Sequence, residues 1–315
     1  MIRFSISETR TAPLVRLENS IEKFFNNNKK GVTSVKPATV KNFKLSQFLK
    51  TYHEFHLVDP SPWPIVVSLG ALLTTLGGVA YMHKTSGGWE TFVHGFCLTL
   101  IGAFGWWRDV VREATYEEQH TYKVRRGLRL GVILFIVSEV MFFFGFFWAF
   151  FHSSLSPVHN IGGVWPPSAI STISSYLTPF TNTVILLSSG ATITWGHHAI
   201  FLNSKRHSVI AILYTIGLAV LFTYFQAVEY VSLPFNISDS VYGSCFYMTT
   251  GFHGFHVFVG TIAIIVSLVR LVKNHFTNTQ HLGLESSVWY WHFVDVVWLF
   301  LFATVYCWGN LKASL

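Results

Sequence analysis

The chain has 315 residues, of which 51% are hydrophobic, 17% aromatic and only 12% charged; a soluble domain carries about 25% charged residues. The apolar residues come in long blocks and not in alternation, which excludes a soluble globular domain and points to an all-α, polytopic membrane protein. The net charge of +7 belongs to residues 1–50, which hold ten Lys/Arg against three Glu, while residues 51–315 balance at twelve of each sign. The basic character therefore describes a tail and not the body, and no nucleic-acid partner is expected.

Residues 1–50 lack a long apolar run and contain breakers at Asn26-Asn27-Asn28, Gly31 and Pro37. Arg3, Arg10 and Arg16 among Ser and Thr suggest an organelle-targeting segment. Glu8, Glu18 and Glu22 speak against one, and the other reading is a basic extension on anionic headgroups. Residues 51–315 form the membrane domain. Seven spans are expected: Trp63–Met82 behind Pro60 and Pro62, then Trp89–Trp107, Gly127–Phe151, Pro179–Phe201, Val209–Leu233, Val241–Val272 and Ser287–Trp308. Each offers about 20 mostly apolar residues, enough to cross a hydrocarbon core. With seven spans, 20 of the 22 Lys/Arg fall on one side and only Lys84 and Lys312 on the other. The positive-inside rule then places the N-terminus inside and the C-terminus outside. The long loop after the third span, with Gly162-Gly163 and Trp165-Pro166-Pro167, has no Lys or Arg and is expected to pack over the outer face.

Polar groups inside the spans are the candidates for chemistry. Glu139 lies twelve residues into the third span, roughly 18 Å along it, where a charge costs at least about 2.5–3.5 kcal/mol. Glu229 shares a face with Gln226, and His253 with His256. His292 shares one with Asp295, each pair at a spacing of three. Fifteen histidines raise the question of haem or copper, yet their depths do not pair across the bundle. The three cysteines, Cys97, Cys245 and Cys307, form no C-x-x-C and are expected to be buried, inert thiols. No metal or redox site is therefore expected in the chain. The histidines are expected to hydrogen-bond to carboxylates and backbone between helices. Glu139, Glu229 and Asp295 are groups of the kind pumps use, but they lie at scattered depths. The segment Trp106-Trp107-Arg108-Asp109-Val110-Val111-Arg112-Glu113, with His120 and Arg126 in the loop after it, admits two readings. One is a pocket for an anionic phospholipid, since arginines can fork onto phosphate. The other is an ordinary aromatic belt with snorkelling arginines.

Several stretches resemble subunit 3 of cytochrome c oxidase: Val58–Pro64, WWRDVVRE at 106–113, SEVMFFFGFFWAFFHSSL at 138–155, SGATITWGHH at 189–198, TGFHGFHVFVGT at 250–261 and WYWHFVDVVWLFLF at 289–302. The resemblance covers about residues 52–310 in order, and looks closer to mitochondrial members. It implies seven helices, two leaning away from five to leave a V-shaped cleft filled by phospholipid. Cardiolipin, phosphatidylglycerol or phosphatidylethanolamine would be the bound lipid. It implies a non-catalytic subunit of an oxidoreductase complex of the inner mitochondrial membrane, with the N-terminus in the matrix and the C-terminus in the intermembrane space. Such a chain packs on subunit 1, with subunit 2 and small accessory subunits nearby, while haem a, haem a3 and copper lie in those partners. It also implies lipid contacts at Trp107, Arg112, His120, Glu139 and Arg270, and a link between Glu139 and proton uptake. The competing readings are a self-contained transporter or proton pump, and a chain that carries haem itself.

Overall fold

The computed structural model describes residues 54–310. They form seven long helices: α1 (Trp63–Met82), α2 (Gly88–Thr115), α3 (Tyr122–Leu155), α4 (Thr178–Phe201), α5 (Lys205–Ser232), α6 (Val241–Val272) and α7 (Leu282–Leu301). No strand occurs among the described residues. The expectations for the tail at 1–50 lie outside them. Beyond α7 the chain continues through a π-helical turn, Phe302–Cys307, and a short 3-10 turn, Trp308–Asn310. α1, α3, α5, α6 and Leu282–Asn310 are long and apolar enough to cross a membrane. α2 and α4 do not meet that measure, because α2 carries Glu90, His94 and the Arg108–Glu113 charges and α4 carries Asn182, several Thr and Ser, and two His.

The helix limits have local causes. α1 starts where Pro62 and Pro64 fix the backbone without a donor to lose. Thr121 caps α3, its hydroxyl accepting from the Val124 amide at 3.4 Å, and Ser240 caps α6 on the Gly243 amide at 3.4 Å. The sequence-based limits differ most at α2 and α3. Both run on through polar residues, so Trp106–Glu113 lies on helix, and Arg126 belongs to the first turns of α3 and not to a loop. The helix propensity of Arg and Glu carries the backbone beyond the apolar block.

α1 and α2 pack mainly on each other, and neither makes extensive contact with another helix. Their seam is glycine. A Cβ on Gly70 would stand 2.5 Å from Thr99 Oγ1, and one on Gly88 would stand 2.5 Å from the Tyr81 backbone nitrogen. Gly77 and Gly95 likewise face backbone of the opposite helix. Close backbone approach through small residues is how helices associate in lipid. It also explains Cys97, which is exposed, contrary to the expectation of three buried thiols: it lies two residues from Gly95, on the far side of α2. Cys245 and Cys307 are half-buried, and all three thiols are free.

The other five helices share one core, with Trp291, Trp298, Ile193, Ile212 and Phe222 fully buried. Its tryptophans are satisfied: Trp291 Nε1 donates to Ser189 Oγ and Trp298 Nε1 to Thr183 Oγ1, both at 2.9 Å. Arg129 clamps α3 to α7 through Glu285 at 2.9 and 3.0 Å. Trp165 from the loop after α3 packs on Phe150 and Tyr242, and Ile170 is buried, so that loop covers one end of the bundle. The opposite end, where the 116–121, 202–204 and 273–281 loops lie, gathers Arg125, Lys205, Arg206, Arg270 and Lys273 and is called the basic end below.

Candidate functional site: a mid-helix acid pair and a basic end

Glu139 stands near the midpoint of α3, and His256 near the midpoint of α6. Each sits at equal depth on a helix with a face toward the other, and their side chains meet: His256 Nε2 lies 2.7 Å from Glu139 Oε2. The side chains are 7% and 22% exposed for His256 and Glu139. Aromatic rings box the imidazole. Phe143 meets it edge-on at 5.0 Å between centroids, and Phe293 and Tyr290 lie at 6.1 and 6.3 Å.

The protons follow from the partners. His256 Nδ1 is 2.6 Å from the Phe252 carbonyl, which can only accept, so Nδ1 carries a hydrogen. Nε2 and Oε2 would repel at 2.7 Å without a proton between them. Either the glutamic acid donates to Nε2 or an imidazolium donates to the carboxylate. In both cases the pair shares one proton and is neutral as a whole, which is what makes an acid tolerable at that depth.

The remaining expected lipid contacts lie elsewhere. Arg270 is fourteen residues beyond His256 on α6, roughly 21 Å along the axis. Its guanidinium packs over the Phe276 ring at 4.5 Å, reaches Thr115 Oγ1 at 3.5 Å, and leaves Nε buried without a partner. Gly283 makes the room, since a Cβ there would stand 2.5 Å from Arg270 Nη1. His120 is half-buried in the 116–121 loop beside His56, at 5.8 Å between rings. Burial first, then the charges of His56, Arg270 and Arg125, hold it below the ordinary 6.5. His275 in the 273–281 loop is also held below 6.5, by burial and then by Arg270 and Lys273, and it bonds Tyr116 at 3.3 Å. Arg112 and Trp107 are exposed on the last turns of α2. Arg108 is spoken for: it bonds Asp109, which also accepts from Trp63 Nε1 at 2.6 Å. Those two bonds hold the Asp109 carboxyl below its usual range. Thus His120, Arg270, Arg112 and Trp107 belong to the basic end, and Glu139 stands apart from them, in the middle of the bundle.

Two further acids are buried. Asp295 lies beside His292 at 3.6 Å, against Gly190, and His292 Nε2 meets Thr194 Oγ1 at 3.1 Å. Glu229 accepts from Tyr306 at 2.7 Å. Glu229 is thus hydrogen-bonded, whereas Asp295 stands beside His292 beyond hydrogen-bond distance and leaves Oδ1 buried without a partner. His253 bonds the Val294 carbonyl at 3.2 Å. Among the described residues no three His, Cys, Asp or Glu side chains converge as a metal cluster. The sequence reading placed histidines against carboxylates as a class, and it did not name His256 as the partner of Glu139. The signal was their equal depth.

A profile described as cytochrome c oxidase subunit III matches residues 53–310. Proteins named cytochrome c oxidase subunit 3 are similar throughout that region. The one from Marchantia polymorpha is 57% identical over 258 residues, 82% of this chain and 97% of that relative. The one from Pylaiella littoralis is 58% identical over 257 residues, 82% and 94% of the two chains. The one from Arabidopsis thaliana is 57% identical over 259 residues, 82% and 98%.

Proposed function

Because this chain belongs to the cytochrome c oxidase subunit III family, and is therefore a multi-pass membrane subunit of an oxidoreductase complex, we propose that it is a non-catalytic core subunit that packs on subunit 1, binds phospholipid and sustains proton uptake during O2 reduction. Subunit 2 and small accessory subunits complete its surroundings, and the haem and copper centres belong to the partners. The setting is the inner mitochondrial membrane, crossed by all seven helices, with the basic end in the matrix. The single observation that carries this reading is the unbroken match over residues 53–310.

Two features support the lipid role. The hydrogen bonds and ion pairs between the α1–α2 unit and the five-helix bundle, among the described residues, all lie at the basic end: Thr115–Arg270, Tyr116–His275, and Glu54 with Thr121 and Lys123. A hinge at that end with little contact elsewhere fits a cleft that opens toward the other face. His120 lies within the influence of Arg270, and Arg112 lies in the last turn of α2; these are the kinds of donor that an anionic headgroup would call for. The neutral, proton-sharing Glu139–His256 pair supports a proton-related role, because its proton can pass between carboxylate and imidazole while the pair as a whole stays neutral.

The test is purification of the chain from its own membranes. Co-purification with a haem a protein of oxidase activity is expected. A haem-free chain that moves a solute in liposomes by itself would overturn the reading in favour of a transporter. Arg112→Ala is expected to lower occupancy of tightly held cardiolipin or phosphatidylglycerol in native lipid mass spectrometry of the complex, and unchanged occupancy would remove Arg112 from the site.

A further inference from the structure

At the basic end, two titratable rings are set among cations. The chain leaves α6 through Asn274, whose φ is 59°, and turns back on itself, so that the His275 amide donates to the Arg270 carbonyl at 3.0 Å. Arg270 and His275 then reach two consecutive residues at the end of α2: Arg270 Nη2 donates to Thr115 Oγ1 at 3.5 Å, and His275 Nε2 meets Tyr116 Oη at 3.3 Å. Lys205 of α5 holds the neighbouring Asn274 Oδ1 at 2.6 Å. The charges that act on His275 are those of Arg270 and Lys273, and on His120 those of His56, Arg270 and Arg125. All of these are bases, and Arg270 is common to both rings. His56 differs, because Glu113 stands 3.9 Å from it.

We infer that His120 and His275 make the basic end a charge-selective site, which holds a net-anionic phosphodiester headgroup more tightly as the two rings take up protons. The inference rests on the phospholipid reading above and adds its regulation. Burial first, and then the cations around them, disfavour the imidazolium form of both rings. A bound phosphodiester offsets those cations, so it favours protonation, and by linkage protonation favours the headgroup to the same degree. The headgroup of phosphatidylglycerol keeps one negative charge across the range in which histidine titrates, so the charge that changes is the protein's. His275 acts through its charge and not by contact, since its Nε2 is already engaged by Tyr116. A zwitterionic headgroup carries an ammonium beside its phosphate and gains little from the added charge. Without an anion, the same protons only add repulsion to the loops that carry them.

The test uses the assembled complex in nanodiscs of phosphatidylcholine with a minor share of phosphatidylglycerol, and native mass spectrometry of the lipid retained at pH 7.5 and pH 5.5. Affinity for phosphatidylglycerol is expected to rise as pH falls, by at most about tenfold per pH unit for each proton taken up, while retention of phosphatidylcholine stays level. The double variant His120→Gln, His275→Gln is expected to bind phosphatidylglycerol at pH 7.5 and to show no rise at pH 5.5. Phosphatidylglycerol held equally at both pH values by the wild type would overturn the inference and leave the phospholipid site standing. A rise that persists in the double variant would overturn it as well. No phosphatidylglycerol held at either pH would overturn the phospholipid reading itself. The wild-type comparison decides even where the double variant fails to assemble.

Discussion

At the scale of single residues, Glu139 depends on one contact. Glutamine at 139 can still donate an N–H to His256 Nε2, so Glu139→Gln is expected to assemble normally while losing the shared proton. The reading is oxygen consumption followed over many turnovers: the initial rate is retained and sustained activity declines. His256→Leu removes the partner and leaves an acid among phenylalanine rings, which is expected to destabilise the subunit by about 3–5 kcal/mol, read as a lowered melting temperature of the complex. At the basic end, His120 and His275 are both held below 6.5 in the fold. Depressed histidines favour the folded state above the unfolded value, and that contribution fades as pH falls from about 6.5 toward their folded values. Protection against hydrogen exchange in the 116–121 and 273–281 loops, after correction for the intrinsic pH dependence of amide exchange, is therefore expected to fall at pH 5 relative to pH 7.5, and equal protection would refute it. The acid itself was legible in the sequence, because a carboxylate in an apolar run has no soluble explanation. Its partner was not, because equal depth narrows the choice and only the rotation of α3 and α6 about their axes selects His256 over His253.

At the scale of the helix, α1 and α2 show how a pattern can be present and go unread. Gly70 and Gly77 are seven apart, as are Gly88, Gly95 and Gly102. A seven-residue repeat keeps one face of a helix toward its neighbour. Hydropathy, which scores glycine as nearly neutral, ignores it. Gly95→Leu would drive a branched side chain into the backbone of Leu73 and Thr74. Overpacking of this kind costs about 1–3 kcal/mol. The expected outcome is loss of cysteine cross-linking between α1 and α2, with cross-links between α6 and α7 unaffected. By contrast, the limits of α1 and α6 coincide with the sequence reading, because proline at one and a serine cap at the other are chemical stops. At the end of α7 no such stop exists. The switch to a π-helical turn follows from where Tyr306 must reach, which no local pattern encodes.

For the molecule as a whole, the division into two helices and five follows from two kinds of adhesion. The five-helix bundle is held by interlocking aromatic side chains and satisfied tryptophans, while the α1–α2 pair is held by backbone meeting backbone. The glycine seam therefore leaves that pair without an interior. Leu69, Leu72, Leu76 and Val79 on α1 and Phe96, Leu100, Ile101 and Phe104 on α2 are exposed. In the proposed membrane setting, acyl chains would be structural material for this wall, in the way that a core side chain is for a soluble protein. Exchanging native lipid for a short-chain detergent is equivalent to a large-to-small substitution along its whole length. The angle of the pair relative to the bundle should then follow acyl chain length, with the basic end as pivot.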